Sequence, residues 1–230
     1  MTESTGTENQ PGWQALDPLQ RRVLGVLVEK AKTTPDAYPL TVNAIKTACN
    51  QKSNRHPQMD LDADDVQATL DELREIGVVA EIHGDGRSAK YRHKAYEWLG
   101  VDKVELAVMA ELLLRGQQTV GELRGRAARM EPIDGLSELK PVLAGLLDRN
   151  LVVAITPAGR GQIVSHGLYL TSEHPEPRQE EPETAPAPLN SPATSARSAA
   201  PADGDWRQEL EALHESVAQL TRRVEQLEQR

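Results

Sequence analysis

The stretch Leu40–Leu61, with the sequence LTVNAIKTACNQKSNRHPQMDL, decides the fold of this chain. Thr41 is a preferred helix N-cap residue, and Val42, Ile45 and Cys49 follow it at the spacing of one helix face. A basic connection rich in turn-forming residues comes next, and a second helical pattern begins just beyond it. The stretch therefore predicts a helix, a turn and the start of another helix.

A helix is also predicted on the N-terminal side of this stretch. Asp17 is a good N-cap residue, and Pro18 suits the first helical position because its missing N–H is not needed there. On the C-terminal side, a third helix starts among several aspartates and ends at Gly77. Three helices in this order are typical of the helical part of a winged-helix domain.

A β-hairpin is predicted directly after the third helix. The runs 78–83 and 87–93 flank Asp85-Gly86, a dipeptide typical of a two-residue type I′ turn. That turn would place Glu81 opposite Lys90 as an attractive cross-strand pair. Three helices followed by a two-stranded hairpin give the winged-helix order of elements.

The same order is predicted a second time. The motif TVGEL at 119–123 repeats the motif TVNAI at 41–45, each followed by a basic segment. Pro141 is predicted to lie in the first turn of the third helix of this copy, because a proline deeper in a helix removes a backbone hydrogen bond. Strands over 151–156 and 162–169 would form a second wing around the turn 157–161.

The predicted fold class is mainly α with small β-hairpins (α+β), as two tandem winged-helix domains plus a C-terminal heptad helix. The segment 172–205 is rich in Pro, Ala, Glu and Ser, so we predict an extended linker there. The predicted parts are a disordered leader 1–14, winged-helix domains 15–98 and 99–171, the linker 172–205 and a coiled-coil helix 206–230.

The last 25 residues carry a heptad pattern. Apolar residues alternate spacings of three and four, with Leu210, Val217 and Val224 at a positions and leucine or tryptophan at d positions. Valine at a with leucine at d favours a parallel dimer. We therefore predict a homodimer through this helix, while a single amphipathic helix that folds back on its own chain stays open. The dimerisation candidates are Leu210, Leu213, Val217, Leu220, Val224 and Leu227.

The sequence also resembles a known family. The segment TTPDAYPLTVNAIKTACNQKSNRHPQM, followed at a distance by ELLLRGQQTVGELRGRAARM, is similar to the YceH-like family of bacterial proteins, a family of undetermined function. The resemblance covers residues 16–169 and implies two tandem winged-helix domains. It implies no substrate, catalytic residue or cofactor, and it does not extend to the heptad tail.

Composition and motifs favour binding over catalysis. The six histidines are scattered without metal-ligand spacing, and Cys49 is the only cysteine and lies on an apolar helix face. We predict no enzymatic activity, no metal and no cofactor. The N-terminus has no signal-peptide pattern and no apolar run long enough to span a bilayer, so a cytoplasmic protein without membrane association is expected.

Basic residues are clustered in a few segments, although the formal net charge of the chain is −9. Clustered basic residues suit contacts with phosphate, so we predict weak, backbone-type binding of duplex DNA, with a regulatory role open. The nucleic-acid-binding candidates are Lys46, Lys52, Arg55, Arg87, Lys90, Arg92, Lys94, Arg124, Arg126 and Arg129.

The predicted third helix argues against the usual docking of a winged helix in the major groove. Residues 62–76 hold six acidic residues and one arginine, and this charge would repel phosphates. If DNA binds, it should bind through the basic second helix, the connection after it and the wing, or through the second domain. The alternative is a protein-interaction scaffold that uses winged helices and a dimerising tail without binding DNA.

Overall fold

The computed structural model describes residues 12–83 and 88–173, which form an α+β fold with seven α-helices and short antiparallel strands. The helices are α1 Pro18–Thr33, α2 Val42–Cys49, α3 Ala63–Glu75, α4 Ala95–Leu99, α5 Lys103–Arg115, α6 Val120–Ala127 and α7 Leu136–Asp148, with a short 3-10 helix at Pro35–Ala37. The strands are β1 Val79–Ile82, β2 Lys90–His93, β3 Gln118–Thr119, β4 Val152–Ala154 and β5 Ile163–His166.

Capping side chains fix where the helices begin. Asp17, Asp62 and Asp102 each accept hydrogen bonds from backbone N–H groups in the first turn, and in each case the N3 side chain bonds back to the cap. Thr119 caps α6 in the same way, and the Thr41 side chain caps α2 by accepting from the Ala44 N–H. The predicted starts of α1, α2 and α6 are therefore confirmed.

The two halves repeat one order of elements: α1, α2, α3, β1, β2, and then α5, α6, α7, β4, β5. A short extended segment before the second helix pairs with the last strand in both halves. In the first half this is a single bridge between Leu40 and Tyr91, and in the second it is β3 paired with β5, with Gln118 opposite Val164. The sequence did not predict β3, because two polar residues carry no strand pattern.

The register of the first hairpin differs from the prediction by one residue. Glu81 lies opposite Tyr91, not opposite Lys90, and Val79 lies opposite His93. Val79 and Tyr91 are both buried, so burial of this face sets the register. The predicted turn dipeptide lies outside the described residues.

Pro141 is also placed differently from the prediction. It lies in the interior of α7, five residues after Leu136, where it cannot donate to the carbonyl of Ser137. Ser137 and Pro141 are exposed, so water can satisfy that carbonyl. The helix continues because the buried Leu139, Leu143 and Leu146 hold it against the core.

A single apolar core runs through both halves. The largest helix contact is between α1 and α5, and Gly25 allows it, because a Cβ there would lie 3.0 Å from Leu114 Cγ. Trp13, which sequence analysis assigned to the leader, is partly buried against the same core. The predicted boundary between residues 98 and 99 stays a prediction. The second helix of each half packs against the first, α2 against α1 and α6 against α5.

The linker, the heptad helix and its six dimerisation candidates lie outside the described residues. Across residues 12–83 and 88–173, none of the helices has the length and apolar character required to cross a membrane.

Candidate nucleic-acid interface

The connection between α2 and α3 is held firmly against α1. The Asn50 amide donates to the Leu61 carbonyl at 2.8 Å and accepts from the Leu61 N–H at 2.9 Å, which closes the connection at its base. From α1, Arg22 donates to the carbonyls of Cys49 and Pro57, at 2.9 and 2.6 Å. The predicted basic loop is thus an ordered part of the fold.

Arg55, a predicted phosphate contact, is buried at the base of this loop. Its guanidinium forms a bidentate pair with the Glu29 carboxylate, with N–O distances of 3.1 and 2.5 Å. Its other N–H groups donate to the carbonyls of Ala48 and Asn54 and to the side chain of Gln51. All five donors have acceptors, so Arg55 holds the loop to α1 and is not available to phosphate.

The tip of the loop contacts the C-terminal end of α5. The His56 N–H donates to the Leu114 carbonyl at 2.9 Å, and Arg115 donates to the Asn54 side chain. Arg115 Nε also lies 3.0 Å from Glu111 Oε1, and both of these side chains are buried. The first half of the molecule therefore reaches the second half through this loop.

An arginine that follows directly after α6 contacts the same buried carboxylate. Arg129 Nη2 lies 3.3 Å from Glu111 Oε2, and Arg126 donates to the Gln118 side chain at 2.8 Å. Burial raises the pKa of Glu111, while Arg115, Arg129 and Arg126 oppose that rise. Basic side chains thus surround one buried acid.

We call the surface formed by Lys52, Arg126 and Arg129 the basic seam. Lys52 is exposed on the loop, and the Arg129 side chain is 44% exposed. The loop contacts Arg115 of α5, and Arg129 contacts Glu111 one turn earlier on the same helix, so two basic segments that are more than 70 positions apart in the sequence contact the same part of α5. Phosphate contacts require such exposed cations.

Other predicted residues lie elsewhere. Arg124 donates to the Ile133 carbonyl at 3.3 Å and is partly buried, as is Lys46 on α2. The candidates on or directly after β2 are exposed and form a separate basic strip: Lys90, Arg92 and Lys94. Arg87 lies outside the described residues.

The exposed face of α3 is acidic. Arg74, its one basic residue, is already bound to Asp71 at 2.8 Å and to Glu81 at 2.9 Å. The six acidic side chains of this helix and its cap are exposed: Asp62, Asp64, Asp65, Asp71, Glu72 and Glu75. This charge opposes approach of α3 to a phosphate backbone.

The chemistry of the cysteine agrees with a packing role. Cys49 is fully buried, and burial raises the pKa of its thiol to about 12, so the nucleophilic thiolate is suppressed at neutral pH. Within the ranges that the structure describes, no three His, Cys, Asp or Glu side chains form a group that could hold a metal ion.

Sequence reasoning missed the buried Glu29, which anchors the loop through Arg55, and the buried Glu111 and Arg115 of α5, where the loop reaches the second half. The sequence of α5 contains a signal for two of these residues. Glu111 lies in the apolar run VELAVMAELLLR, four residues before Arg115, on a helix that is buried almost all round. A charged pair at core-facing spacing indicates a buried ion pair.

Comparison with known proteins adds a family relationship. Residues 16–161 match the family model described as a protein of unknown function, DUF480. A UPF0502 protein of Rhodopirellula baltica is 48% identical over 206 residues, covering 87% of this chain and 87% of the relative. A UPF0502 protein of Hahella chejuensis is 41% identical over 216 residues, covering 91% of this chain and 95% of the relative.

These two matches also reach beyond the described core. The residues up to Glu173 make up about 75% of the 230-residue chain, which is less than either match covers. Each relative therefore has a counterpart to part of the C-terminal stretch.

Proposed function

The chain belongs to the DUF480 family, which confirms the resemblance stated from sequence, and on that premise we propose that it is a non-enzymatic tandem winged-helix protein that binds the backbone of duplex DNA. The observation that carries the proposal is the basic seam. Its loop in the first half contacts Arg115 of α5, and Arg129, just after α6 in the second half, contacts Glu111 of α5.

The charges of the seam support backbone contact. Lys52 and Arg129 present exposed cations, while Glu29 and Glu111 are buried and bound to arginines. The more exposed Glu122 is paired with Arg126, with an N–O distance of 3.3 Å. Buried and paired acids oppose an approaching phosphate less than exposed acids do. Contacts with phosphate position a protein on DNA but carry no sequence information, so we propose binding without strong sequence preference.

The proposed docking differs from insertion of the third helix into the major groove. In that mode the N-terminal residues of α3 would face bases. Those residues are Asp62, Asp64 and Asp65, which are exposed, so the first half is proposed to bind through its loop instead.

The proposal is tested by fluorescence anisotropy with a labelled duplex of mixed sequence at about 50 and 200 mM salt. The full chain is compared with the double variant Lys52→Gln/Arg129→Gln. We expect the variant to bind at least about tenfold more weakly at the lower salt, because two phosphate contacts are lost. Both residues are exposed, and Glu111 keeps its ion pair with Arg115 when Arg129 is replaced, so the variant should fold normally.

The matched control is Lys103→Gln/Lys140→Gln, which removes the same charge from exposed lysines outside the seam. It should bind like the wild type, apart from a small effect of net charge. Absence of binding by the wild-type chain at the lower salt would refute the proposed function, and equal weakening by both double variants would refute the seam as the site.

A second candidate function is a protein-interaction scaffold. The acidic face of α3 favours it, because this exposed surface suits a basic protein partner better than DNA. If the wild-type chain fails to bind DNA, replacement of Asp64 and Asp71 by Asn becomes the informative change, with loss of binding to a basic protein as its readout.

The heptad pattern supports a proposed homodimer through residues 206–230. Sedimentation equilibrium of the full chain and of a chain ending at residue 205 tests it. We expect the full chain to show twice its monomer mass and the shortened chain to show the monomer mass. The same multiple of the monomer mass for both would contradict dimerisation through this segment.

A further inference from the structure

A cleft of about 330 Å³ lies beside the first hairpin, away from the basic seam. Its volume is within the range of small-molecule sites, about 300 to 1,000 Å³. It lies where the segment before α2, the strands β1 and β2, and α4 meet. The lining residues are Tyr38, Pro39, Ile82, Arg92, His93, Tyr96 and Glu97.

Three rings form one wall of the cleft. His93 lies between Tyr38 and Tyr96, with ring centroids 6.0 and 5.8 Å apart and both pairs tilted. The Tyr38 hydroxyl accepts a hydrogen bond from the His93 backbone N–H at 2.7 Å, which fixes the first ring. Pro39 and Ile82 add apolar surface, so the wall suits an aromatic or large apolar group.

Two rings of this wall, those of His93 and Tyr38, are uncharged at neutral pH. Burial lowers the pKa of His93 to about 4, and burial raises the pKa of Tyr38 to about 12. Lys32 lies over the Tyr96 ring, but its ammonium is bound to the Glu131 carboxylate at 2.8 Å. The wall itself therefore attracts neither a cation nor an anion strongly.

Two opposite charges line the same cleft without neutralising each other. Arg92 and Glu97 both act on the pKa of His93, Arg92 lowering it and Glu97 raising it, so both lie close to that ring. They form no ion pair with each other, and neither has a charged partner among the residues that the structure describes. A cleft with an apolar wall and two unpaired opposite charges complements a zwitterion with an apolar side chain.

We propose that this cleft binds a free α-amino acid with an aromatic side chain, whose carboxylate contacts Arg92, whose ammonium contacts Glu97 and whose ring packs against Tyr38, His93 and Tyr96. A guanidinium–carboxylate contact and an ammonium–carboxylate contact supply the charge-assisted hydrogen bonds. This site is separate from the basic seam, and its occupancy does not depend on the proposed function.

The test is isothermal titration calorimetry of the full chain with L-phenylalanine, L-tyrosine and L-tryptophan, each to about 10 mM. We expect saturable binding of at least one of them. 3-Phenylpropionate lacks the ammonium and 2-phenylethylamine lacks the carboxylate, so each should bind at least about tenfold more weakly than L-phenylalanine.

Arg92→Gln and Glu97→Gln should each weaken binding at least about tenfold, because each removes one charged contact. The matched controls Arg160→Gln and Glu138→Gln change exposed residues of the second half and should leave the affinity unchanged. Absence of binding by all three amino acids would overturn the proposal. So would equal affinity for L-phenylalanine and 3-phenylpropionate, or unchanged affinity in Arg92→Gln.

Discussion

The two halves of the molecule share an order of elements but differ in the connection between their second and third helices. Residues 50–62 make this connection 13 residues long in the first half, and residues 128–135 make it eight residues long in the second. The third helices that follow, α3 and α7, are both 13 residues long. The extra length in the first half forms the loop that Arg55 anchors and that reaches α5.

Comparison of the two halves distinguishes the features that the fold requires from the surface features that vary between them. Capped helices and buried apolar faces are common to both halves, so these features maintain the topology. The charge of the third helix, in contrast, differs between the two halves. The exposed face of α3 is strongly acidic, whereas α7 carries only Glu138, Lys140 and Asp148. The two halves thus share an architecture but differ in the charge of their third helices, as expected when function depends on particular sites and not on the fold.

The first way to test this comparison is to remove the anchor of the long loop. Arg55→Ala should lower the free energy of unfolding by about 3–5 kcal/mol, because it leaves the buried Glu29 carboxylate without its partner. Urea denaturation followed by circular dichroism measures the change.

The control in the second half is Arg124→Ala. This side chain is partly exposed and donates to the backbone of Ile133, so its loss should cost less than about 1 kcal/mol. Equal destabilisation by the two variants would contradict the special role assigned to the long loop.

The second test exchanges residues at equivalent positions of the third helices. Ala68 is the sixth residue of α3 and Pro141 the sixth residue of α7, and both are exposed. Ala68→Pro should destabilise the protein by about 3 kcal/mol, because it removes a helix hydrogen bond and introduces a clash with the preceding turn.

Pro141→Ala should stabilise the protein by a smaller amount, because restoring that hydrogen bond is offset by the greater freedom of the unfolded chain. Thermal unfolding of both variants gives the comparison. If Ala68→Pro is neutral, α3 tolerates a proline as α7 does, and the two helices are more alike than we infer.

The third test uses the histidines that end β2 and β5. Burial lowers the pKa of His93 to about 4 and that of His166 to about 3, below the ordinary value near 6.5. Between these values the unfolded state binds more protons than the folded state, so stability is complete above about pH 6.5 and falls as the pH decreases.

His166→Phe should reduce the loss of stability between pH 7 and 5 by about 1–2 kcal/mol, because one buried neutral histidine is removed. The control His83→Phe changes a side chain that is 79% exposed and should keep the wild-type pH dependence. Urea denaturation at pH 7, 6 and 5 gives the pH dependence of the free energy of unfolding for the wild type and the two variants. A wild-type slope in His166→Phe would show that this histidine does not govern the acid sensitivity.

Local signals in the sequence predicted most of the fold. N-cap residues such as Asp17 and Thr119 act within one turn, so the predicted helix starts agree with the structure. The hairpin register and the position of Pro141 were wrong, because burial of Tyr91 and of the leucines of α7 outweighed the turn and proline signals. These are tertiary effects that no local pattern contains.

The candidate site was predicted less completely. Lys52 and Arg129 were identified by charge, but the contacts of their two segments with α5 depend on tertiary packing. Arg55 was predicted to lie on the surface, because no local pattern in the sequence indicates that it pairs with Glu29, 26 residues earlier, and is buried. Charged residues in the sequence identify candidates for the interface, and tertiary packing determines which of them are exposed to solvent.

The most direct measurement of the central claim is the salt dependence of DNA affinity for Lys52→Gln and Arg129→Gln as single variants, with Lys140→Gln as control. If the loop of the first half and α6 of the second half form one DNA-binding surface, each single variant should lower the slope of log K against log salt by about 0.9, and the control should keep the wild-type slope. A wild-type slope in either Lys52→Gln or Arg129→Gln would contradict a surface shared by the two halves.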